Sequence, residues 1–317
     1  MATSNSNLSG NGDVAATLLG DGELLRRTRE SARGVTRLVR LPFRNRVWKG
    51  AAGEFQGGGA GSSIDFQDHR TYIPGDDPRH INWQAFARTG NYTMKLYREE
   101  VRPQVDVIFD VSQSMFVDEA KAARSLELFF FCTDAAAQPG SAVNVWLACG
   151  VRHTFVPDVA REGDAWVKMA MDLWQEPRIN ATAPTPLMLG EMPLRANALR
   201  VLVSDTLFPE SPEHIVASLT TRNGCGVILA PFTADEERPP WQGNYEFIEV
   251  EDNSRHVRRV EPALIKRYRT AYDQHFAQWK SSCTRHAVSF ARVAAEPTLE
   301  QALQVEGISQ RAVEPVA

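Results

Sequence analysis

The chain is poor in cysteine, and its four cysteines, Cys132, Cys149, Cys225 and Cys283, form no C-x-x-C pair. That spacing excludes the common zinc modules and a disulfide framework. Three of the four sit in apolar runs and read as core positions in a reducing compartment. Long hydrophobic runs are lacking as well: the most apolar helical stretch, LELFFFC, is short and interrupted by Glu127, so no membrane span is expected. Neither sign of charge dominates, since 35 Lys and Arg against 39 Asp and Glu leave a formal net charge of −4. This gives no basis for a nucleic-acid partner or an anionic membrane surface. The opening MATSNSNLSGNGDVAATLLG has no basic segment and no continuous apolar one, so no signal peptide is expected and the location reads as cytoplasmic. No G-x-S-x-G is present, which removes the usual serine-hydrolase signature.

What is present is a segmented chain, 43% hydrophobic, enough for a substantial core. Residues 1–20 and the tail 306–317 are small and polar and read as disordered. Residues 21–63 read as a helical segment with apolar positions Leu24, Leu25, Val35, Leu38 and Val39 among basic residues, followed by a Gly-rich linker, GAAGEFQGGGAGSS. No Gly-Lys-Ser/Thr follows those glycines, so a phosphate loop is not indicated. From residue 105 to 305 short, β-branched runs alternate with helices: VDVIF, AVNVWLAC, LRVLVS, CGVILAPF and YEFIEVE. Such runs suit strands buried on both faces. The spacing predicts one helix opening at Asp118 and stopping before Pro139-Gly140, and another from Pro262 with Leu264, Tyr268, Tyr272, Phe276 and Trp279 at three- or four-residue intervals. Fold class follows: a doubly wound, mostly parallel α/β sheet with a small N-terminal α+β extension.

The chemistry-bearing stretch is VDVIFDVSQSM. Its strand ends in Asp110, and Ser112 and Ser114 follow at alternate positions, so an extended loop turns all three side chains to one side. In an open α/β sheet ligands sit beyond the carboxyl ends of the strands, where strand order reverses. One carboxylate with two hydroxyls suits a hard cation such as Mg²⁺ or Mn²⁺, which needs further oxygens. LRVLVSDT ends a second strand in Asp205, and NATAPTPL supplies Thr182 and Thr185. At about 6 Å and an effective dielectric near 20, two carboxylates repel by roughly 3 kcal/mol; a divalent ion between Asp110 and Asp205 reverses the sign. The plain reading of Asp or Ser before a helix is an N-cap.

D-V-S-Q-S, a later Thr and the S-D strand end resemble the metal-ion-dependent adhesion site of von Willebrand factor A domains. That resemblance implies Ser112 and Ser114 bound to the ion, Asp110 and Asp205 acting through water, and Thr185, with Thr182 as alternative, as the threonine.

Upstream, SIDFQDHRTYIPGDDPRHINWQAFARTGNYTMKLYREEVRP, residues 63–103, overlaps a signature subdomain read as 64–104 and carries a Pro74-Gly75 turn and an Asp77-Pro78 helix start. Arg70, Arg79 and Arg88 stand near Asp68, Asp76 and Asp77, reading as an ion-pair lattice that fastens this segment to the sheet, with a docking surface for a partner as the alternative. The run Tyr72, Pro74, Gly75, Asp76, Asp77, Pro78, Arg79, Ile81, Trp83 resembles the hallmark of the domain-of-unknown-function 58 family over about residues 60–305. Asn82 stands where that family commonly has Asp, and Gln84 where it has Lys. The resemblance implies a von Willebrand A-like domain and a non-enzymatic adaptor working with a MoxR-type AAA+ ATPase in maturation of other protein complexes, its Mg²⁺ taking a carboxylate from a protein partner. Two other readings remain: a Mg²⁺-dependent phosphatase or phosphotransferase using Asp110 as nucleophile, and a metal-free scaffold.

Overall fold

A computed structural model describes residues 11–43, 52–60, 66–138, 140–175, 187–208, 210–248 and 255–316. Four of the apolar runs enter one central sheet as β1 (Gln104–Asp110), β2 (Ala142–Cys149), β4 (Leu199–Val203) and β5 (Cys225–Phe232). Two strands that hydropathy alone did not single out complete it, β3 (Arg152–Val156) and β6 (Ser289–Ala294). The order is β6-β5-β4-β1-β2-β3, parallel throughout except for the β2–β3 hairpin. Read from β3 this is 3-2-1-4-5-6, the order of a doubly wound sheet, and the chain reverses direction across the sheet between β1 and β4.

Side chains alternate between the two faces. Val105, Val107 and Phe109 of β1 point into one core with helices α1 (Asn11–Leu19), α2 (Gly22–Val35), α3 (Glu119–Ala137) and α4 (Ala165–Gln175). Ile108 points into the other, with Leu202, Ile228, α5 (Glu213–Thr220) and α6 (Pro262–Arg285). Helix α3 starts where expected, the Asp118 carboxylate accepting from the Lys121 backbone N–H at 2.8 Å. It is buried almost all round rather than on one stripe, because α2 covers the side turned away from the sheet. The basic residues of α2 serve that packing: Arg27 pairs with Glu119 at 3.0 Å, Arg33 with Asp134 at 3.6 Å and Arg29 with Asp164.

Several expectations are corrected. Residues 11–19, read with a disordered terminus, form α1 with Ala15 and Leu19 fully buried; residues 1–10 lie outside the described residues. The tail 306–317 is ordered to residue 316: Ala312 and Val313 enter the first core and Glu314–Pro315 pairs with Val39–Arg40. Polarity along the chain hides both, since a few apolar side chains suffice when a partner surface awaits them. Of the Gly-rich linker, Ala52–Ala60 is a strand in a three-stranded sheet with Thr93–Val101 and Phe66–Thr71. Its pairing shifts register twice, as glycine in a strand commonly allows. The YEFIEVE run forms no central strand; Gly243–Ile248 pairs with Arg255–Val260 in a separate hairpin.

The upstream signature is a local lattice. Pro74-Gly75 makes the turn, with Gly75 at φ +110° and Asp76 N–H donating to the Ile73 carbonyl at 3.0 Å. Arg70 grips Asp76 with two nitrogens at 2.8 and 2.6 Å, and Arg79 pairs with Asp77. Both pairs are internal to the segment, so they do not fasten it to the sheet as expected. Asn82 caps the helix Trp83–Thr89, accepting from Ala85 N–H at 3.1 Å, a role Asp would fill equally well.

Leu19→Ala is expected to cost about 2–5 kcal/mol, the range for truncating a buried leucine, in a urea unfolding curve. An unchanged midpoint would return residues 11–19 to the status of a dispensable tail.

Candidate metal centre

The reversal between β1 and β4 sets the carboxyl ends of two adjacent parallel strands side by side. Asp110 ends β1, and Ser204 and Asp205 follow β4. Asp110 is completely buried. Its Oδ1 accepts from the Ser112 backbone N–H at 2.9 Å and its Oδ2 from the Ser204 hydroxyl at 2.7 Å. It thus folds the loop back on itself and ties it to the neighbouring strand end. The indole N–H of Trp174 in α4 donates to the Val111 carbonyl and fixes the same loop. Burial first, and then the charge of Asp205, push the Asp110 carboxyl up to about 7.

The Ser112 and Ser114 hydroxyls stand 3.0 Å apart. Neighbouring corners of an octahedron with metal–oxygen distances of 2.0–2.1 Å are about 2.9 Å apart, so the pair has the spacing of two adjacent ligands on Mg²⁺ as well as that of a hydroxyl–hydroxyl hydrogen bond. Among the described residues no three His, Cys, Asp or Glu side chains gather as a metal-binding group, so a cation here depends on hydroxyls. Thr182 and Thr185 lie outside the described residues. A different threonine adjoins the site. Thr206 is fully buried, and its hydroxyl has no hydrogen-bond partner among the described residues. Its φ of +58° is an outlier for a β-branched residue. The Thr206 N–H donates to Ser204 Oγ at 3.1 Å, and its carbonyl lies 2.8 Å from His275 Nε2.

Asp205, 2% exposed, is already partnered. Lys121 Nζ sits 2.8 Å from its Oδ2 and 2.8 Å from Glu236 Oε2. Burial alone would favour the neutral amine, but Asp205 and Glu236 outweigh it and raise the Lys121 pKa above its ordinary value. Glu236 is raised by burial, against the pull of Lys121, and its Oε1 accepts from the Tyr272 hydroxyl at 3.2 Å. Asp110 and Asp205 therefore do not depend on an added cation for charge balance, because Lys121 offsets one charge and a proton can offset the other. Lys121, Ser204, Thr206 and Glu236 were not nominated from the sequence. Glu236 could have been, since it follows the apolar run of β5 as Asp205 follows that of β4.

Lys121→Met is expected to cost about 3–5 kcal/mol in urea unfolding, as removal of one partner strands buried charge, with Asp205→Asn added to it recovering part of the loss. A loss below about 1 kcal/mol, the worth of an exposed pair, would mean that the ammonium offsets nothing. Asp110 gives a pH signature in chelator. The unfolded carboxyl releases its proton near pH 4 and the folded one near 7, so the folded chain binds more protons in between and stability falls as pH rises through that window. The full effect is on the order of 4 kcal/mol. Asp110→Asn should flatten that share of the slope; a slope the substitution leaves intact belongs to another group.

The family model described as "Protein of unknown function DUF58" matches residues 68–278. No curated protein and no solved structure matches the chain. With two thirds of its residues inside that match, the signature and five of the six central strands included, the chain belongs to the DUF58 family.

Proposed function

We propose that the chain is a non-enzymatic adaptor whose von Willebrand factor A-like sheet holds Mg²⁺ or Mn²⁺ at the β1–β4 switch point and recruits a protein partner through a carboxylate of that partner. The observation that carries this reading is the Ser112–Ser114 hydroxyl pair at 3.0 Å, set against two buried carboxylates at the ends of adjacent strands. When bound, the ion would supply a Lewis-acidic position for an external carboxylate. The chain's residues would divide the rest. Ser112 and Ser114 offer oxygens directly, Asp110 holds the loop that presents them, and Asp205 acts from behind while Lys121 keeps it in place. Thr185, with Thr182 as alternative, remains the threonine that the adhesion-site resemblance implies. A MoxR-type AAA+ ATPase as partner, maturation of other complexes as the task and a cytoplasmic setting are further parts of the proposal and rest on that resemblance.

One observation bears on the phosphatase alternative. A nucleophilic Asp110 needs a free oxygen facing substrate, yet both its oxygens accept hydrogen bonds and the side chain is fully buried. That arrangement suits a scaffold carboxylate better than an attacking one.

Mg²⁺ or Mn²⁺ at a hundredfold excess over its Kd should stabilise the wild-type chain by about 2.7 kcal/mol, read as a rise in Tm, and Ser112→Ala with Ser114→Ala should abolish the rise. Equal Tm values with and without divalent ion would end the metal-dependent reading. Hydrolysis of an aryl phosphate that vanishes in Asp110→Asn would put the enzyme in its place.

A further inference from the structure

Residues 255–269 hold Arg255, Arg258, Arg259, Lys266, Arg267 and Arg269 against a single acid, Glu261, in a chain whose overall balance is −4, while the acids of the preceding residues 243–254 are Glu246, Glu249, Glu251 and Asp252. They form one strand of the separate hairpin and the first turns of α6. Residues 255–259 are exposed without exception, as are Lys266, Arg267 and Arg269. Two of the cations have local partners, Arg255 with Glu246 and Arg259 with Glu261, each at 3.5 Å, exposed pairs worth at most about 1 kcal/mol. Arg258, Lys266, Arg267 and Arg269 have no carboxylate partner among the described residues.

Apolar anchors stand within this field. The pairing sets Tyr245 opposite Arg258 and Phe247 opposite His256 on one side of the hairpin. Trp241 lies against that side, 5.2 Å from the Phe247 ring and 6.3 Å from Tyr245. Val257 on the other side is 74% exposed. Among the described residues the hairpin pairs with no further strand, so both its edges offer backbone N–H and C=O groups for pairing. Tyr268 at the base donates its hydroxyl to the Glu236 carbonyl at 2.7 Å. The surface therefore borders the carboxyl end of the sheet, beside Lys121.

We propose that the Arg255–Val260 strand of this hairpin and the adjoining turns of α6 are a docking surface for an acidic polypeptide segment of a partner protein. Charge complementarity selects an anion. The open strand edges select a polypeptide, which can add main-chain hydrogen bonds that a nucleic acid cannot. The negative balance of the whole chain also opposes long-range capture of a polyanionic nucleic acid. The surface is independent of the cation site: it works with or without a divalent ion.

The test uses the full chain in chelator, with fluorescent poly-L-glutamate, oligothymidylate and phosphatidylserine vesicles as probes. Poly-L-glutamate should bind and weaken with salt. Binding should fall about tenfold or more in R258E/K266E/R267E and hold in the control R37E/R88E. Loss of binding in the control to the same degree, no loss in the hairpin variant, or binding seen only with Mg²⁺ overturns the proposal, the last leaving the cation site as the sole anion receptor. Tighter binding of oligothymidylate or of vesicles also overturns it, in favour of that ligand. Hydrogen exchange on the wild-type chain gives a readout free of folding effects: poly-L-glutamate should protect residues 243–248 and 255–260, and unchanged exchange there counts against the surface.

Discussion

The Lys121 ammonium between Asp205 and Glu236 is the contact on which the end of the sheet depends. The buried carboxylate of Asp205 and the partly buried one of Glu236, following neighbouring strands, would repel each other in a medium that screens poorly. The first turn of α3 delivers a cation to both at 2.8 Å. The same bridge fixes where α3 begins relative to β4 and β5, and through Glu236 it reaches Tyr272 of α6. Beyond Tyr272 lies Arg292 of β6, donating to the Tyr272 hydroxyl at 3.0 Å. One chain of polar contacts thus runs from the switch point to the sheet edge.

That arrangement explains what could be read in the sequence. Asp110 and Asp205 were legible because each ends an apolar run, and the Asp118 cap because it acts within three residues. Lys121 was not, because its partners lie far along the chain and only the assembled sheet brings them near. A lone lysine among apolar helix positions was the available signal. Edge strand β6 was missed because Ser289 and Arg292 dilute its apolar character; Arg292 lies over the Phe232 and Phe276 rings, at 3.9 and 4.4 Å from their centroids, and so is accommodated where charge reads as a break. The same local bias assigned α1 and the tail to disorder.

The family signature shows a different economy. Its charges, which invite a reading as a recognition surface, are spent on one another: Arg70 with Asp76, Arg79 with Asp77. Substitution of one polar cap by another at Asn82 leaves the local helix start intact. The basic face of α2 is likewise occupied by Glu119, Asp134 and Asp164. After these are set aside, Arg258, Lys266, Arg267 and Arg269 stand out as cations without a carboxylate partner among the described residues.

The short pairing of Val39–Arg40 with Glu314–Pro315 joins segments far apart along the chain. Helices α1 and α2 can form early, but the core they share with Ala312 and Val313 stays open until those residues are synthesised. Until then that part of the first core lacks its final cover, and closing it is a contact of large sequence separation and so a slow one.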